Sequence, residues 1–207
     1  MLAIYGIGGY GREVASFARR LGEVVFVTDN PQDWGCMVNE VPVIRFEELV
    51  ERKTPVCIAV ADATTRRRLA DRCLSAGVPE GQAWASTSIR GDRVRLSGGS
   101  ILSDLTICTA DLEIGRHFHA NIYAYVAHDC VIGDFVTFAP RVCVNGNTVI
   151  EDDVYVGTGA ILRQGTPEKP LRIGRGAVIG MGAIVTKDVA PGVTVVGNPA
   201  RQLERVG

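Results

Sequence analysis

Between Leu102 and Leu162 every sixth residue is apolar: Leu102, Cys108, Ile114, Ala120, Val126, Ile132, Phe138, Val144, Ile150, Val156 and Leu162. A second series, four places after each of the first ten, runs Thr106, Leu112, Phe118, Ala124, Cys130, Val136, Val142, Thr148, Val154 and Ala160. Its members are mostly small or β-branched. Two inward positions in a six-residue period fit neither the 3.6-residue turn of an α-helix nor the two-residue alternation of a half-buried strand. They fit a triangular parallel β-coil, each hexad making one flat side and one corner. Gly115, Gly133, Gly157, Gly174 and Gly180 each follow an inward aliphatic residue, where a tight corner or close coil packing favours a missing side chain. After Leu162 the next inward residue is Ile173, eleven positions on, so Gln164 to Pro170 is predicted to leave a corner as a loop. Ile173, Ile179 and Val185 then resume the period. From Ser86 onward there is room for about six coils of roughly 18 residues.

Before Ser86 the pattern is different. Leu2 to Tyr5 reads as a strand, followed by the turn Gly6-Ile7-Gly8-Gly9-Tyr10-Gly11. Arg12 to Leu21 then sets Val14, Phe17, Ala18 and Leu21 on one helical face. Val24 to Val27 and Val56 to Val60 read as strands, and Phe46 to Arg52 and Thr64 to Ala76 as helices. Such alternation predicts a parallel sheet. The chain divides into a Rossmann-like α/β domain, residues 1–85, and an all-β parallel β-helix, residues 86–207.

Composition narrows the partners. A formal net charge of −1 offers no electrostatic handle for nucleic acid or an anionic membrane. No apolar run reaches the roughly 20 residues of a membrane span, and the N-terminus lacks the pattern of a signal peptide. The six cysteines include no C-x-x-C pair, so neither a metal site nor a disulfide ladder is suggested, and free thiols in a reducing cytoplasm are expected.

The Ile-Gly hexads and Gly197-Asn198-Pro199-Ala200-Arg201 resemble the left-handed β-helix acyltransferases. Further motifs are Ile4 to Gly11, Thr28-Asp29-Asn30, Val41-Pro42-Val43, Asn121-Ile122-Tyr123 and His128-Asp129-Cys130-Val131-Ile132-Gly133-Asp134. With these, essentially the whole chain resembles the sugar O-acyltransferase/N-acetyltransferase family, typified by bacterial N-acetyltransferases of nucleotide-linked 4-amino sugars. The resemblance implies left-handed coils and a homotrimer with active sites between neighbouring β-helices. It also implies acetyl-CoA as cosubstrate with no tightly bound cofactor. The implied acceptor is a nucleotide-linked 4-amino-4,6-dideoxy sugar, in cell-surface polysaccharide biosynthesis. Outward apolar groups such as Tyr123, Tyr125 and Phe135 need cover, which a trimer would supply.

His128 is the candidate base. It stands two places after inward Val126 and so points out of the coil. Acyl transfer to an amine needs a base, because an ammonium has no lone pair, and imidazole suits that task. The resemblance gives Asp129 the role of orienting and polarising His128. From spacing alone, an exposed histidine beside a turn aspartate is an equal reading. His117 and His119 flank inward Phe118 and are expected to face outward with structural roles. Cys130 falls on an inward position and is expected in the core. Asn121 matches a family asparagine near the acceptor; a polar corner residue bonding along the stack is the alternative.

The turn Gly6, Gly8, Gly9, Tyr10, Gly11 satisfies G-x-G-x-x-G between a strand and a helix, with Asp29 eighteen residues beyond Gly11. That context predicts phosphate binding at a helix N-terminus and an acidic contact with a ribose from the Asp29-Asn30 segment. About 85 residues hold one half of a dinucleotide fold, so a mononucleotide fits better than NAD. Many family members carry histidine where this chain has Tyr10. Acyl-CoA contacts implied by the family fall on Gly146, Thr158, Gly180 and Met181. Three rival readings are O-acetylation of a sugar such as a sialic acid, a nucleotide-binding oxidoreductase, and a non-catalytic β-helix scaffold.

Overall fold

The computed structural model describes residues 1–203; residues 204–207, the end of the expected second domain, lie outside it. In the first half, β1 (Leu2–Tyr5), β2 (Val24–Val27), β3 (Met37–Val38), β4 (Val41–Ile44) and β5 (Val56–Ile58) form one sheet in the order β3-β4-β2-β1-β5. All its pairs are parallel except the β3–β4 hairpin. α1 (Gly9–Ala18) starts and stops three residues earlier than the apolar spacing suggests. Gly8, in extended conformation, forms its N-cap. Leu21 therefore falls beyond the helix and is exposed. Val14, Phe17 and Ala18 are buried against β1, β2 and β4 as expected. The opposite face of the sheet carries α2 (Phe46–Arg52) and α3 (Ala63–Ser75), through Leu49, Leu69 and Cys73. The Asp62 carboxylate caps α3 by accepting from the Thr65 amide at 2.7 Å.

From Ala83 onward the chain winds into a left-handed parallel β-helix with three faces. Face I includes His119–Ala120, Thr137–Phe138 and Tyr155–Val156; face II includes Tyr125–Val126 and Cys143–Val144; face III includes Leu112–Ile114 and Val131–Ile132. Each strand pairs with the one 18 residues on, as Ile107↔Tyr125 and Tyr125↔Cys143. Across the excursion loop the step becomes 23, as Ile161↔Ile184, and beyond it 16, as Val178↔Thr194. Within that loop Thr166 and Lys169 exchange backbone hydrogen bonds, both 3.1 Å. Both inward series are buried, forming one continuous core. Each fully buried Ile, Leu or Val contributes about 1.5–3 kcal/mol.

Gly99, Gly159, Gly176 and Gly182 take left-handed corners, with φ between 65° and 75°, but the five glycines that follow inward aliphatics do not. A left-handed backbone recurs every sixth residue at Leu105, Asp111, His117, Tyr123, Asp129, Phe135, Arg141, Asn147 and Asp153, with φ between 52° and 62°. This conformation costs an L-residue about 1–2 kcal/mol. It is offset because the corner amide bonds the coil before it, as Phe135 N to Arg116 O at 2.8 Å and Asp153 N to Asp134 O at 2.9 Å. Gly115, Gly133, Gly157, Gly174 and Gly180 serve close coil packing instead. A Cβ on Gly157 would lie 2.8 Å from Ile179 O, and one on Gly180 2.7 Å from Val196 Cγ1.

Candidate functional site

His128 and Asp129 sit at the corner between faces II and III. Asp129, at φ 57°, turns its carboxylate back so that Oδ2 lies 2.7 Å from His128 Nδ1. The carboxylate only accepts, so it holds the proton on Nδ1 and leaves the Nε2 lone pair outward. The coil stack fixes the backbone: Asn147 N donates to His128 O at 3.1 Å and Asp129 N to Ala110 O at 3.3 Å. Both side chains are about half exposed, 50% and 53%. Gly146, one coil on, supports the ring, since a Cβ there would lie 2.7 Å from His128 Cε1. Cys130 is buried, and burial pushes its thiol up to about 11, so it supplies no thiolate at neutral pH.

A second feature is a cleft of about 260 Å³ between the two halves. Gly9, Tyr10 and Ala61 line it from one side, and His119, Asn121, Thr137 and Thr158 from the other. Asn121 Oδ1 accepts from the Ile122 amide at 2.7 Å, which orients the side chain at the corner between faces I and II. The turn opens into this cleft. Gly6 has φ 108°, and a Cβ on Gly11 would collide with the Gly6 carbonyl oxygen, so both glycines are demanded by the turn. Nothing lies within 4 Å of a Cβ on Gly8 or Gly9, and no side chain caps α1 there. That leaves the helix N-terminus open to an anion.

Asp29, at the end of β2, is already engaged. Its Oδ1 accepts from Tyr5 Oη at 2.7 Å and from Arg72 at 2.6 Å. Burial pulls its pKa upward, but these two bonds outweigh it and hold the carboxyl below its ordinary value. Asn30 accepts from the Gln32 amide at 3.3 Å and donates to Asp33 at 2.8 Å, so its side chain shapes the turn at Pro31–Asp33.

Two expectations are corrected. His117 and His119 leave the coil outward yet are buried, because the α/β half docks over them. His117 Nε2 meets Glu80 at 3.1 Å and its ring stacks on Phe135; His119 packs against Tyr10. Phe135, expected to need a neighbouring subunit, is fully covered within the chain by Arg67 and the core of the α/β half. Tyr123 remains exposed and Tyr125 half-buried.

The site residues fall into two groups. Asn121, Thr158 and Gly180–Met181 stack along the corner between faces I and II, facing the cleft or continuing it; Met181 is strongly exposed. His128 and Gly146 occupy the corner at the other end of face II. Within one chain a whole flat side separates His128 from the cleft. Ala61, Thr137 and Tyr155 line the cleft without any motif to announce them.

Comparison with known proteins bears on this arrangement. A family model of the PglD N-terminal domain matches residues 1–73. The GDP-perosamine N-acetyltransferase of Escherichia coli O157:H7 is 42% identical over 216 aligned residues, covering 99% of this chain and 97% of that one. WeeI from Acinetobacter baumannii AYE superposes with a TM-score of 0.92 at 43% identity, over 98% of this chain and 99% of that one. The acetyltransferase domain of PglB from Neisseria gonorrhoeae FA1090, solved in complex with acetyl coenzyme A, gives 0.86 at 30% identity, over 98% of each.

Proposed function

The chain belongs to the hexapeptide-repeat sugar N-acetyltransferases, and from that premise we propose that it acetylates the amino group of a nucleotide-linked 4-amino-4,6-dideoxy sugar, with acetyl-CoA as donor. GDP-perosamine is the first acceptor to test, since the relative matched along its whole length carries that name. The observation that carries the mechanism is the His128–Asp129 pair with its outward Nε2. Nε2 takes a proton from the sugar amine as the nitrogen attacks the thioester carbonyl. The C–S bond then breaks, the amide forms, and the leaving thiolate of CoA recovers the proton from the imidazolium. Asp129 keeps the ring in the tautomer that accepts and stabilises the charge that develops on it.

The division of labour follows the two halves, 1–85 and 86–207. The nucleotide diphosphate lies on the amides of Gly8, Gly9 and Tyr10, with the ribose toward Asp29 Oδ2. The sugar reaches Asn121. Acetyl-CoA runs along main-chain groups at Gly146, Thr158, Gly180 and Met181. Because His128 and Asn121 stand at opposite ends of face II, a homotrimer joins the base of one subunit to the acceptor cleft of the next. Exposed Tyr123, Val131 and Ile161 supply apolar surface for that contact. The six free cysteines fit a cytoplasmic enzyme of cell-surface polysaccharide synthesis.

The test is thiol release from acetyl-CoA with a panel of nucleotide-linked 4-amino sugars, using wild type and His128→Ala. Wild type should turn over, and His128→Ala should lose about 10²- to 10⁴-fold in kcat/KM without loss of thermal stability. A base-labile product would mean an ester and O-acetylation. Near-full activity in a folded His128→Ala variant would place the base elsewhere.

A further inference from the structure

Arg66, near the start of α3, is fully buried at the seam between the halves, and no step of the reaction uses it. Neutral acceptors, not a carboxylate, surround its guanidinium. Nη1 donates to Val60 O at 2.7 Å and Ala61 O at 3.0 Å. Nη2 donates to Phe135 O at 2.6 Å and Thr137 Oγ1 at 2.9 Å. Thr137 Oγ1 in turn donates to Ala61 O at 3.2 Å. One planar group therefore bonds the α/β half with one nitrogen and the β-helix with the other.

A buried charge among neutral groups is a costly way to hold two surfaces together, and an apolar contact of the same volume often does it at least as well. An apolar contact, however, is non-directional and leaves the offset between surfaces loosely set. A guanidinium fork fixes both distance and angle. What it fixes here is specific. Ala61 and Thr137, hydrogen-bonded to each other across the seam, both line the acceptor cleft. Ala59 and Val60 pack on Gly6, where the phosphate turn begins. Thr137 pairs with His119, two residues from Asn121. The fork thus spans the gap between the nucleotide-binding turn and the sugar-binding corner.

We propose that Arg66 is a positioning residue that sets the width of the acceptor cleft and thereby the affinity for the nucleotide-linked sugar. The proposal rests on the reading of that cleft as the acceptor site. Neither Arg66 nor Thr137 is among the proposed donor contacts, and Thr158, the one donor contact that lines the cleft, is held by the β-helix itself, so acetyl-CoA should sense the change little.

The experiment compares wild type, Arg66→Lys and Thr137→Val in the full chain. It records melting temperature, kcat, both KM values, and the Kd of the nucleotide sugar by calorimetry. Lysine keeps the charge but loses the fork; valine keeps the shape of threonine and removes both of its hydrogen bonds. Arg66→Lys should raise KM and Kd for the nucleotide sugar about tenfold or more, and Thr137→Val about three- to tenfold. The KM for acetyl-CoA and kcat should stay within about twofold, because ground-state binding alone is touched. A merely structural role predicts a lower melting temperature and a lower active fraction with both KM values intact, and that result overturns the proposal. Should Arg66→Lys fail to fold, Thr137→Val decides: an unchanged Kd for the sugar nucleotide overturns it. A wild type that binds the sugar nucleotide but never acetylates it would strike the parent reading. An active wild type beside variants of unchanged Kd strikes Arg66 alone.

Discussion

Replacing Gly146 with alanine should cripple catalysis while leaving the fold almost untouched. The backbone at Gly146 is not in the left-handed region, so alanine adopts it without strain. Its methyl carbon, however, would sit 2.7 Å from His128 Cε1, 2.9 Å from Nε2 and 3.1 Å from Nδ1. Ordinary contact begins near 3.4 Å, so the ring must retreat by about 0.7 Å. Because the imidazole is half exposed, it can swing outward at little energetic cost. The change in stability should stay within the roughly 0.5 kcal/mol of an ordinary surface substitution. The swing stretches the 2.7 Å bond to Asp129 and takes Nε2 from its place. A misplacement near 1 Å costs on the order of 10²-fold in rate, so kcat should fall about 10- to 100-fold. Steady-state thiol release gives kcat and both KM values, and a thermal melt gives the stability. The decisive comparison adds His128→Ala and the double variant. If the methyl acts through the imidazole, the double variant should be no slower than His128→Ala alone. A double variant slower by the full Gly146→Ala factor would refute this reasoning and show that the methyl obstructs the acyl donor directly.

Other expectations follow from the same geometry. Gly8→Val has open space around its Cβ, so its melt should match wild type while KM for the nucleotide sugar rises about tenfold from a crowded phosphate turn. Gly11→Ala drives its Cβ into the Gly6 carbonyl oxygen and should lower the melting temperature sharply; a Gly11→Ala protein as stable as wild type would mean the turn is not built this way. Burial, with Arg66 beside it, depresses the pKa of His119 well below its ordinary value, and burial also lowers that of His117. Both rings are thus neutral in the fold but take up protons below about pH 6.5 when unfolded, so stability should be fully present above that pH. It should fall with acidification by up to about 1.4 kcal/mol per pH unit per histidine. Denaturant melts between pH 7.5 and 5.5 should show that slope, and a flat profile would mean that the rings are hydrated in the native state.

The candidate site is partly legible in the sequence. His128 could be placed outside the coil because Val126 and Cys130 on either side belong to the inward series, and its partner is simply the next residue. Nothing in the same stretch separates His128 from His117 and His119. All three leave the coil outward, yet one remains half exposed and two are buried. What covers those two comes from the α/β half, Tyr10 of α1 against His119 and Glu80 against His117, and hexad spacing carries no information about what docks on a face. Phe135 is covered within the chain, not by a neighbour, for the same reason. Gly146 and Thr158 carry no chemical signal either, since a glycine against a ring and a threonine at a rim are visible only through their neighbours.

The sequence by itself determined the elements whose cause is local or strictly periodic. Every inward side chain of a β-coil meets the same environment every sixth residue, so the two apolar series, the eleven-residue gap and the strand–helix alternation of residues 1–85 follow from the chain alone. The tertiary structure decided what depends on the stacking of one coil on another and of one half on the other. Leu105, Phe135 and Arg141 hold left-handed corners that their own residue types disfavour, because amides bonded to the preceding coil outweigh the local preference. Gly115, Gly133, Gly157, Gly174 and Gly180, which local preference would send to corners, stand instead where coils approach too closely for a Cβ, while Gly159, Gly176 and Gly182 do take corners. Arg66, an unremarkable helix residue in sequence, becomes the buried link between the halves because only the docked fold brings Val60, Ala61, Phe135 and Thr137 around one guanidinium.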